Sequence, residues 1–600
     1  MPYLSQSIDN SSKTILVVMS THFLNIDSSE AQSFTLNQAV DKTERRGSYD
    51  DVNMDKLYNL NFGSTGTYAL NGVLPVFWGP LEYDVQQQLA QKGHFSLDDK
   101  VSQPGSRYAN SSDSNEDPAP NNTWGTFFST DRSSKNLNIT GPKADLAYQP
   151  SEYIPEALKV YQSTLGISFL LNDAASIQEK PSIAFIGVNG INNPEGESDL
   201  KRYMVADTET RGDYYGLDSG NRISSFAYVN LPWATGYFAG QRSGVPIPPS
   251  SITTLFETSQ LDKPVEMLAS EVFKNAVHEF GHVLGLAHPG DYNATGGSVD
   301  TLKQIWNQDS YDEALMSYIT QGDAYNHYKS DPYLSTDGVT LINLTPRVLD
   351  FLALDGLYAE QRDANGRGYG TQRAFNGNTT YGFNTNISAD QSLVYSSIAQ
   401  LYDYYIAMTI ADGSGIDTLD FSGYRNSSLI DLYVMTGDEY KSRFSQINGS
   451  LNNLSLAVGT VIENAIGGYG DDILKDNQFN NVLLGNDGND SFEVSSGYDI
   501  IIGGSGLDQA SLSRPIDDFL IGHLNPWTSV LRSKDGRDQV VLNGVEKVSF
   551  QSPIGDARTR YFSVDSLLNL ESLQLTTFDK GEIEQQLAEI GILAPNQYSS

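Results

Sequence analysis

The sequence predicts an α+β domain, a twisted sheet with one long helix, followed by an all-β domain that folds as a parallel β-roll. Two observations carry this prediction: the string HEFGHVLGLAH at 278–288 and a nine-residue repeat over 467–511. The chain has 600 residues, which is long enough for two or more domains with separate cores.

Composition narrows the classes of partner. There are 38 Lys+Arg against 74 Asp+Glu, a formal net charge of −36. This balance argues against nucleic acid and against anionic membrane surfaces, because both need a basic footprint. Two explanations of the acidic excess remain: it keeps the protein soluble, or it binds cations. There is no cysteine, so disulfides and zinc thiolates are excluded, and no apolar run reaches the length of a membrane span.

The string 278–288 has the form His-Glu-x-x-His-x-x-Gly-x-x-His. On a helix, His278 and His282 stand on the same face, where two imidazoles can hold one Zn²⁺. Glu279 follows the first ligand and can act as the general base on an attacking water. Gly285 can end the helix in the left-handed conformation, so that the chain turns back and brings His288 as a third ligand. Three protein nitrogens leave one position open, as a catalytic zinc site requires.

The alternative is a buried amphipathic helix with incidental histidines. Three of the seven histidines of the chain fall within this string, and the extended motif is rare by chance. Apolar residues on two sides of the segment and Pro264 in a first helical turn still predict a buried helix. We therefore favour the metal site on a buried helix.

Residues 315–318 read Leu-Met-Ser-Tyr, and with the zinc string they make the chain resemble the metzincins. The run PGDYNA at 289–294 makes the resemblance to one branch, the serralysins, closer. This resemblance implies a metzincin catalytic domain with Met316 as an apolar floor beneath the histidines. It also implies that Tyr318 is a displaceable zinc ligand, whose phenol can hydrogen-bond the oxyanion of the tetrahedral intermediate.

Further elements fit such a domain. Residues 153–166 and 345–358 predict helices, and Ile183–Val188 and Phe226–Leu231 predict strands. In metzincins an edge strand binds the extended substrate by β-augmentation. Of the two strands, we favour Phe226–Leu231 as that edge.

Each nine-residue unit of the repeat over 467–511 has an Asp or Asn at its sixth position and an apolar residue at its eighth. This is the pattern of the parallel β-roll, in which glycine turns and Asp side chains face Ca²⁺ and the apolar residue fills the core. The predicted calcium-binding residues are Gly468, Gly470, Asp472, Gly485, Asp487, Asp490, Asp499, Gly504, Gly506 and Asp508.

A flexible Gly/Asp-rich linker is the alternative, but five units in unbroken register argue against it. The unit 476–484 lacks glycine and carries Asn481 in the acidic position, so we expect fewer ions than turns. An isolated half-site, Gly413–Phe421, lies upstream and out of register. It resembles the serralysin stretch that binds Ca²⁺ near the entry of the roll, which adds Asp417 to the candidate ligands.

The resulting domain plan has four parts. Residues 1–60 form a segment of uncertain role and a candidate pro-segment. Residues 61–345 form the zinc metalloprotease domain, with a polar insert near 104–123. Residues 346–550 form the calcium-binding β-roll of the RTX type. Residues 551–600 form a C-terminal extension, partly helical at Gly581–Ile592, and a candidate secretion signal. The apolar stretch Ile15–Met19 is too short for a Sec signal peptide and predicts a strand.

These observations predict a secreted zinc endopeptidase, exported by a one-step type I system and active as a monomer outside the cell, in keeping with a role in virulence. Its cofactors would be Zn²⁺ and Ca²⁺. Its partners would be protein or peptide substrates and a proteinaceous inhibitor, but neither nucleic acid nor a membrane. Two alternatives stay open: a toxin or effector protease with one narrow target, and a catalytically silent calcium-binding adhesive protein.

Overall fold

The computed structural model describes residues 35–38, 73–78, 150–172, 183–188, 207–212, 223–230, 263–269, 271–284, 286, 289, 309–317, 319, 341–359, 363, 365–551, 561–564, 567 and 572–589. Several predicted features lie outside these residues: the strand Ile15–Met19, the polar insert near 104–123, Gly285, His288 and Tyr318.

A five-stranded sheet forms the first layer. Its strands are β1 (Val73–Trp78), β2 (Ser168–Asn172), β3 (Ile183–Val188), β4 (Asp207–Gly212) and β5 (Ile223–Asn230). Their order in the sheet is β2-β1-β3-β5-β4. All neighbours are parallel except β4, which runs antiparallel to β5. The predicted edge Phe226–Leu231 is therefore wrong, because β5 is paired on both sides and β4 forms the edge.

The helices near this sheet are α1 (Pro150–Leu165), α2 (Lys263–Leu268), α3 (Glu271–Val283) and α4 (Val348–Tyr358). The segment with Pro264 thus forms its own short helix before the long one. Helix α3 lies against β4, β5 and α1. It buries Phe273, Val277 and Phe280 completely. Its apolar residues recur at three- and four-residue spacing, so one stripe faces the core.

The remaining strands are short, between two and eight residues. They are β6 (Ile342–Asn343), β7 (Thr380–Gly382), β8 (Ile406–Ile410), β9 (Thr418–Asp420), β10 (Leu429–Asp431), β11 (Phe444–Ser445), β12 (Leu454–Leu456), β13 (Asn464–Ile466), β14 (Ile473–Lys475), β15 (Val482–Asp487), β16 (Ser491–Val494), β17 (Tyr498–Ser505), β18 (Gln509–Leu512), β19 (Phe519–Asn525), β20 (Thr528–Ser533), β21 (Gln539–Asn543), β22 (Lys547–Phe550) and β23 (Tyr561–Ser563). The other α-helices are α5 (Leu393–Ser396), α6 (Ile398–Leu401) and α7 (Thr577–Glu589).

Successive repeats alternate between two sheets. Strands β14, β16 and β18 lie in a six-stranded sheet, and β15 and β17 lie in an eight-stranded one. Within each sheet the repeat strands pair in parallel, with Ile473 opposite Ser491 and Val482 opposite Ile500. The apolar eighth positions are all at most 1% exposed: Leu474, Leu483, Phe492, Ile501 and Ala510. The all-β parallel arrangement predicted for this part of the chain is confirmed.

The half-site Gly413–Phe421 is isolated from the repeat and out of register in the sequence, but it joins the repeat in the fold. Strand β9 pairs in parallel with β13, which places Thr418 opposite Asn464 and extends the eight-stranded sheet. The residues between the two strands form β10, β11 and β12, which belong to the other two sheets of the β-rich part. This insertion breaks the nine-residue count in sequence but leaves the structural ladder intact.

Helix α7 covers the outer face of the eight-stranded sheet. Ile583 and Leu587 are buried in one apolar cluster with Ile500, Ile502, Val530 and Val541. Arg532 makes a 3.2 Å ion pair with Asp579 at the start of the helix. In the part of the chain that the structure describes, no helix is long and apolar enough to span a bilayer.

Candidate metal sites

Helix α3 carries the first part of the zinc string and packs against α1. The hydroxyl of Tyr161 donates a 2.6 Å hydrogen bond to the carbonyl oxygen of Val277. Val277 directly precedes His278, the first residue of the zinc string. The buried phenol therefore fixes the helix where the first predicted ligand stands.

His278 is only 6% exposed, and its Nδ1 lies 3.1 Å from the carbonyl oxygen of Leu315. A carbonyl can only accept, so Nδ1 carries the proton in this bond and the lone pair of the neutral ring lies on Nε2. Burial lowers the pKa of His278 to about 4; the Leu315 hydrogen bond opposes this shift and Lys274 adds to it. A neutral, oriented imidazole is the form that binds a metal ion.

Met316 lies directly beneath the same helix. It is fully buried, and a Cβ placed on Gly281 would come within 2.8 Å of its sulfur and 3.1 Å of the Tyr161 hydroxyl. Glycine at this position lets the methionine pack against the turn between His278 and His282. The placement agrees with the apolar floor that the resemblance implies for Met316.

The turn that holds Leu315 and Met316 is anchored by a carboxylate that sequence reasoning missed. Asp350 Oδ2 accepts hydrogen bonds from the backbone N–H of Leu315 at 2.5 Å and of Arg347 at 2.8 Å. Burial raises the pKa of Asp350 to about 7, and these backbone hydrogen bonds oppose that shift. Asp350 lies on α4, so this helix holds the turn and the turn holds His278.

The structure brings together only part of the predicted zinc set. His278, Glu279 and His282 all lie on α3, but for Glu279 and His282 only the backbone is described. His288 and Tyr318 lie outside the described residues. The zinc ligand set and the roles of Glu279 and Tyr318 therefore stay predictions.

We expect Gly281→Ala to lower the free energy of unfolding of this region by about 1–3 kcal/mol, because the added methyl group overpacks a full core. The thermal midpoint of the full chain with both metals present would measure the loss. Gly581→Ala is the matched control, since nothing lies within 4 Å of a Cβ there and alanine suits a helix better. A Gly281→Ala midpoint equal to wild type would contradict the packing described here.

The Asp residues of the repeat stack into two columns along the roll. The first column contains Asp472, Asp490 and Asp508 and ends at Glu546. Each carboxylate accepts a hydrogen bond from the backbone N–H of the residue one coil earlier: Asp472 N–H bonds Asp490 at 2.8 Å, Asp490 N–H bonds Asp508 at 2.8 Å, and Asp508 N–H bonds Glu546 at 2.7 Å. One oxygen of each carboxylate thus ties neighbouring coils together.

The second oxygen points toward the glycine turns. Oδ2 of Asp490 and Oδ2 of Asp508 are buried and accept no hydrogen bond from any described residue. A Cβ on Gly485 would collide with Asp490 Oδ2 and lie 2.5 Å from the carbonyl oxygen of Gly503. Glycine therefore keeps a small oxygen-lined space between successive turns. Buried carboxylate oxygens without donors are costly unless a cation compensates them, so this donor set fits Ca²⁺.

The other predicted calcium-binding residues near the first column lie in or beside its glycine turns. The backbone N–H of Gly468 donates a 2.6 Å hydrogen bond to Asp472 Oδ2. Gly504 and Gly506 adopt φ of 115° and 149°, and any side chain there would strike the preceding coil. Gly470 packs against the backbone of Ser427. Asp487 lies at the end of β15 with its side chain exposed.

The second column contains Asp417, Glu463, Asn481 and Asp499. The backbone N–H of Asp417 donates to Glu463 at 2.7 Å, and that of Asn481 donates to Asp499 at 2.9 Å. Asn481 removes one charge, and the turns 476–480 and 494–498 contain a single glycine, Gly497. The second column is therefore poorer in both charge and space than the first.

Sequence reasoning missed several carboxylates of these columns. Asp412 lies close to Asp417 and accepts a 2.7 Å hydrogen bond from the hydroxyl of Tyr381. Burial raises the pKa of Asp412 to about 8, and the negative charge of Asp417 adds to the shift. Asp412 directly precedes the half-site Gly413–Phe421, five residues before Asp417, and could have been found there. Glu463 lies nine residues before Asp472, at the acidic position of the preceding unit, and could have been found by extending the repeat; Glu546 carries no periodic signal.

Among the side chains that the structure describes, no three His, Asp or Glu groups converge closely enough to hold a metal ion by themselves. Backbone carbonyls that face the glycine turns, such as that of Gly503, could supply further oxygens to a cation between the coils. This is consistent with the need of Ca²⁺ for six or more oxygens, which no single turn supplies.

Two stacked parallel sheets with a repeating Gly/Asp turn define this part of the chain as a parallel β-roll. Residues 371–580 match the family model described as Peptidase M10 serralysin C terminal. This part of the chain matches the serralysin C-terminal family, which confirms the resemblance to serralysins over these residues.

Curated relatives agree with this family. The chain is 36% identical over 206 residues to Metallopeptidase AprA of Pseudomonas marginalis, covering 34% of this chain and 37% of that protein. It is 36% identical over 202 residues to Serralysin C of Dickeya chrysanthemi, covering 33% and 34%. It is 34% identical over 207 residues to Serralysin of Proteus mirabilis, covering 34% and 36%. The chain thus spans about a third of the length of the curated relatives it matches.

Among solved structures, the extracellular lipase LipA from Serratia marcescens aligns over 62% of this chain and 60% of that chain, with 12% identity and a TM-score of 0.18. A TM-score this low carries no argument about the fold.

Proposed function

We propose that the chain is a secreted zinc endopeptidase of the serralysin type, stabilised by calcium in its β-roll. The observation that carries this proposal is the orientation of His278 on α3 by the Leu315 carbonyl oxygen, with Met316 buried under the same turn. Together with the string HEFGHVLGLAH, this geometry favours a hydrolytic zinc site over a structural helix. The serralysin relatives support the same class.

His278, His282 and His288 would hold the zinc ion, with Tyr318 as a further ligand that leaves during turnover. When bound, zinc would lower the pKa of a water molecule and polarise the scissile carbonyl. Glu279 accepts the proton of the attacking water and passes it to the leaving amine. The phenol of Tyr318 donates a hydrogen bond to the developing oxyanion, so its contribution is larger in the transition state than in the ground state.

Strand β4 offers the place for the peptide substrate. It is the antiparallel edge of the five-stranded sheet and lies against α3. An extended peptide can pair with such an edge through main-chain hydrogen bonds, which suits a protease that accepts many sequences. The proposed substrate-binding edge is therefore β4 and not Phe226–Leu231.

Calcium would bind chiefly along the first column, between the glycine turns at 467–471, 485–489 and 503–507. The unpartnered Oδ2 atoms of Asp490 and Asp508 support calcium here, but Oδ2 of Asp499 in the second column is unpartnered as well, so the glycine turns and not the carboxylates distinguish the two columns. The glycine-poor turns and Asn481 of the second column argue for weaker binding there, apart from the Asp412–Asp417 pair at its beginning.

Casein hydrolysis before and after zinc removal tests the proposal. We expect the purified full chain to degrade casein, to lose this activity when zinc is removed at constant calcium, and to regain it when zinc alone is added back. The same chain before depletion is the control. Full hydrolysis by zinc-depleted protein would contradict a zinc endopeptidase. Zinc dependence on one protein target, without casein cleavage, would instead indicate an effector with narrow specificity.

A further inference from the structure

The segment 309–317 joins the candidate zinc site to the β-rich part of the chain. On one side, the Leu315 carbonyl oxygen holds His278. On the other side, two residues earlier, Glu313 is buried and accepts hydrogen bonds from Ser442: one from its backbone N–H at 3.0 Å and a shorter one from its hydroxyl. Ser442 lies just before β11, so this contact links positions 129 residues apart in sequence.

Arg347 makes a second link next to the first. It is 0% exposed, and its guanidinium donates to three backbone carbonyl oxygens: Asp312 at 3.0 Å, Met408 at 2.6 Å and Asn452 at 3.3 Å. The amide of Asn452 also donates to the Asp312 carboxylate at 3.2 Å. Asp312, Glu313, Arg347, Ser442 and Asn452 are called the buried bridge below.

The buried bridge has one structural consequence for the metal site. Buried charged groups keep their positions because each lost hydrogen bond leaves a desolvated charge uncompensated. The bridge ties Asp312 and Glu313 to residues 408, 442 and 452 of the β-rich part. Leu315 follows Glu313 by two residues, and Asp350 holds Leu315 on the helix that Arg347 begins. A shift of the β-rich part therefore moves the carbonyl oxygen that orients His278.

We propose that Glu313 and Arg347 are positioning residues for the zinc site, through which the folded β-rich part sets the orientation of His278. This inference rests on the proposed function and extends it: the calcium-binding part is then a component of the catalytic apparatus. Outer-shell partners of metal ligands typically change metal affinity or activity by about 10–100-fold when they are removed.

Zinc release and steady-state kinetics of full-chain, calcium-loaded variants test the bridge. Glu313→Gln leaves one acceptor oxygen where glutamate offers two, and Ser442→Ala removes the hydroxyl donor while the backbone bond remains. We expect each variant to release zinc to a chromogenic chelator about 10-fold faster and to lower kcat about 10-fold with little change in KM. The double variant should lose no more than Glu313→Gln alone, because both substitutions break one interaction.

Glu439→Gln is the matched control. Glu439 stands in the same 435–443 segment, but its carboxylate accepts hydrogen bonds within its own loop, from Thr436 and Gly437. Wild-type zinc release and kcat are expected for this variant. The proposal is overturned if Glu313→Gln and Ser442→Ala lower only the melting temperature, or if their effects multiply in the double variant. A wild-type chain that binds zinc but hydrolyses nothing refutes the proposed function, while its zinc-release rates still decide the bridge. A chain that binds no zinc overturns both.

Discussion

Glu279→Gln is expected to lower kcat on a peptide substrate by about 10²–10⁴-fold and to leave zinc bound and KM little changed, because glutamine keeps the shape of the side chain but cannot accept a proton. Glu279 follows His278 on α3, next to the predicted ligand whose orientation the structure describes. Initial rates on a fluorogenic peptide, with zinc content by elemental analysis, would measure both effects.

Glu271→Gln provides the control for this substitution. Glu271 begins the same helix, so the chemical change is identical but lies about two turns away from the predicted ligand pair. We expect it to retain wild-type kcat. If Glu279→Gln cleaves at the wild-type rate, the general base lies elsewhere and the assignment of Glu279 is wrong.

Removal of calcium is expected to unfold the β-rich part first. The cause is the row of buried carboxylate oxygens between the coils, which lose their compensating cation. One site saturated at a hundred times its Kd contributes about 2.7 kcal/mol, so three such sites would contribute about 8 kcal/mol, which is comparable to the whole free energy of unfolding of a typical domain. Far-UV circular dichroism of the Glu279→Gln variant, dialysed against calcium-free buffer that contains zinc, would measure the loss without self-digestion.

The pH dependence of the same experiment follows from the carboxyl groups of the two columns. Burial raises the pKa of Asp490 to about 7 and of Asp499 to about 8. In the unfolded chain these groups titrate near 4, so between about pH 4 and 8 the calcium-free folded form binds more protons than the unfolded form. Calcium-free stability therefore falls as the pH rises through this range, and the stabilisation by calcium grows.

A matched pair of substitutions isolates this effect. Asp490→Asn should remove much of the stabilisation by calcium at pH 8, whereas Asp517→Asn, at an exposed position outside both columns, should retain it. The measurement is the difference in melting temperature with and without calcium at pH 5.5 and pH 8. An equal difference at both values, or an Asp490→Asn variant that responds like wild type, would count against calcium in the first column.

The sequence predicts the roll better than the sheet. A nine-residue period reports a structure in which each turn repeats the same environment, so the buried eighth positions could be named in advance. The strand order of the five-stranded sheet has no such signal. The composition of β5 fits an edge strand and a central strand equally well. Strand β4 (DTETRG) is polar, as a solvated edge strand allows, and its pattern does not distinguish it from a loop.

At the candidate zinc site, the sequence predicts residues that would bear the chemistry, but it does not predict the residues that orient them. The string names His278, but its partner is the backbone carbonyl of Leu315, which any residue could supply. Asp350, Glu313 and Arg347 act through contacts 35 to 129 residues apart in sequence. Such pairs have no spacing rule, because only the folded chain brings them together.

A crystal of the full chain grown with zinc and calcium, with anomalous data collected at the zinc edge, tests the central claim most directly. We expect one zinc ion within about 2.0–2.1 Å of nitrogens from His278, His282 and His288, with the ring of His278 still bonded to Leu315 through Nδ1. Rings that point away from one another, or zinc bound elsewhere with none at α3, would contradict the account.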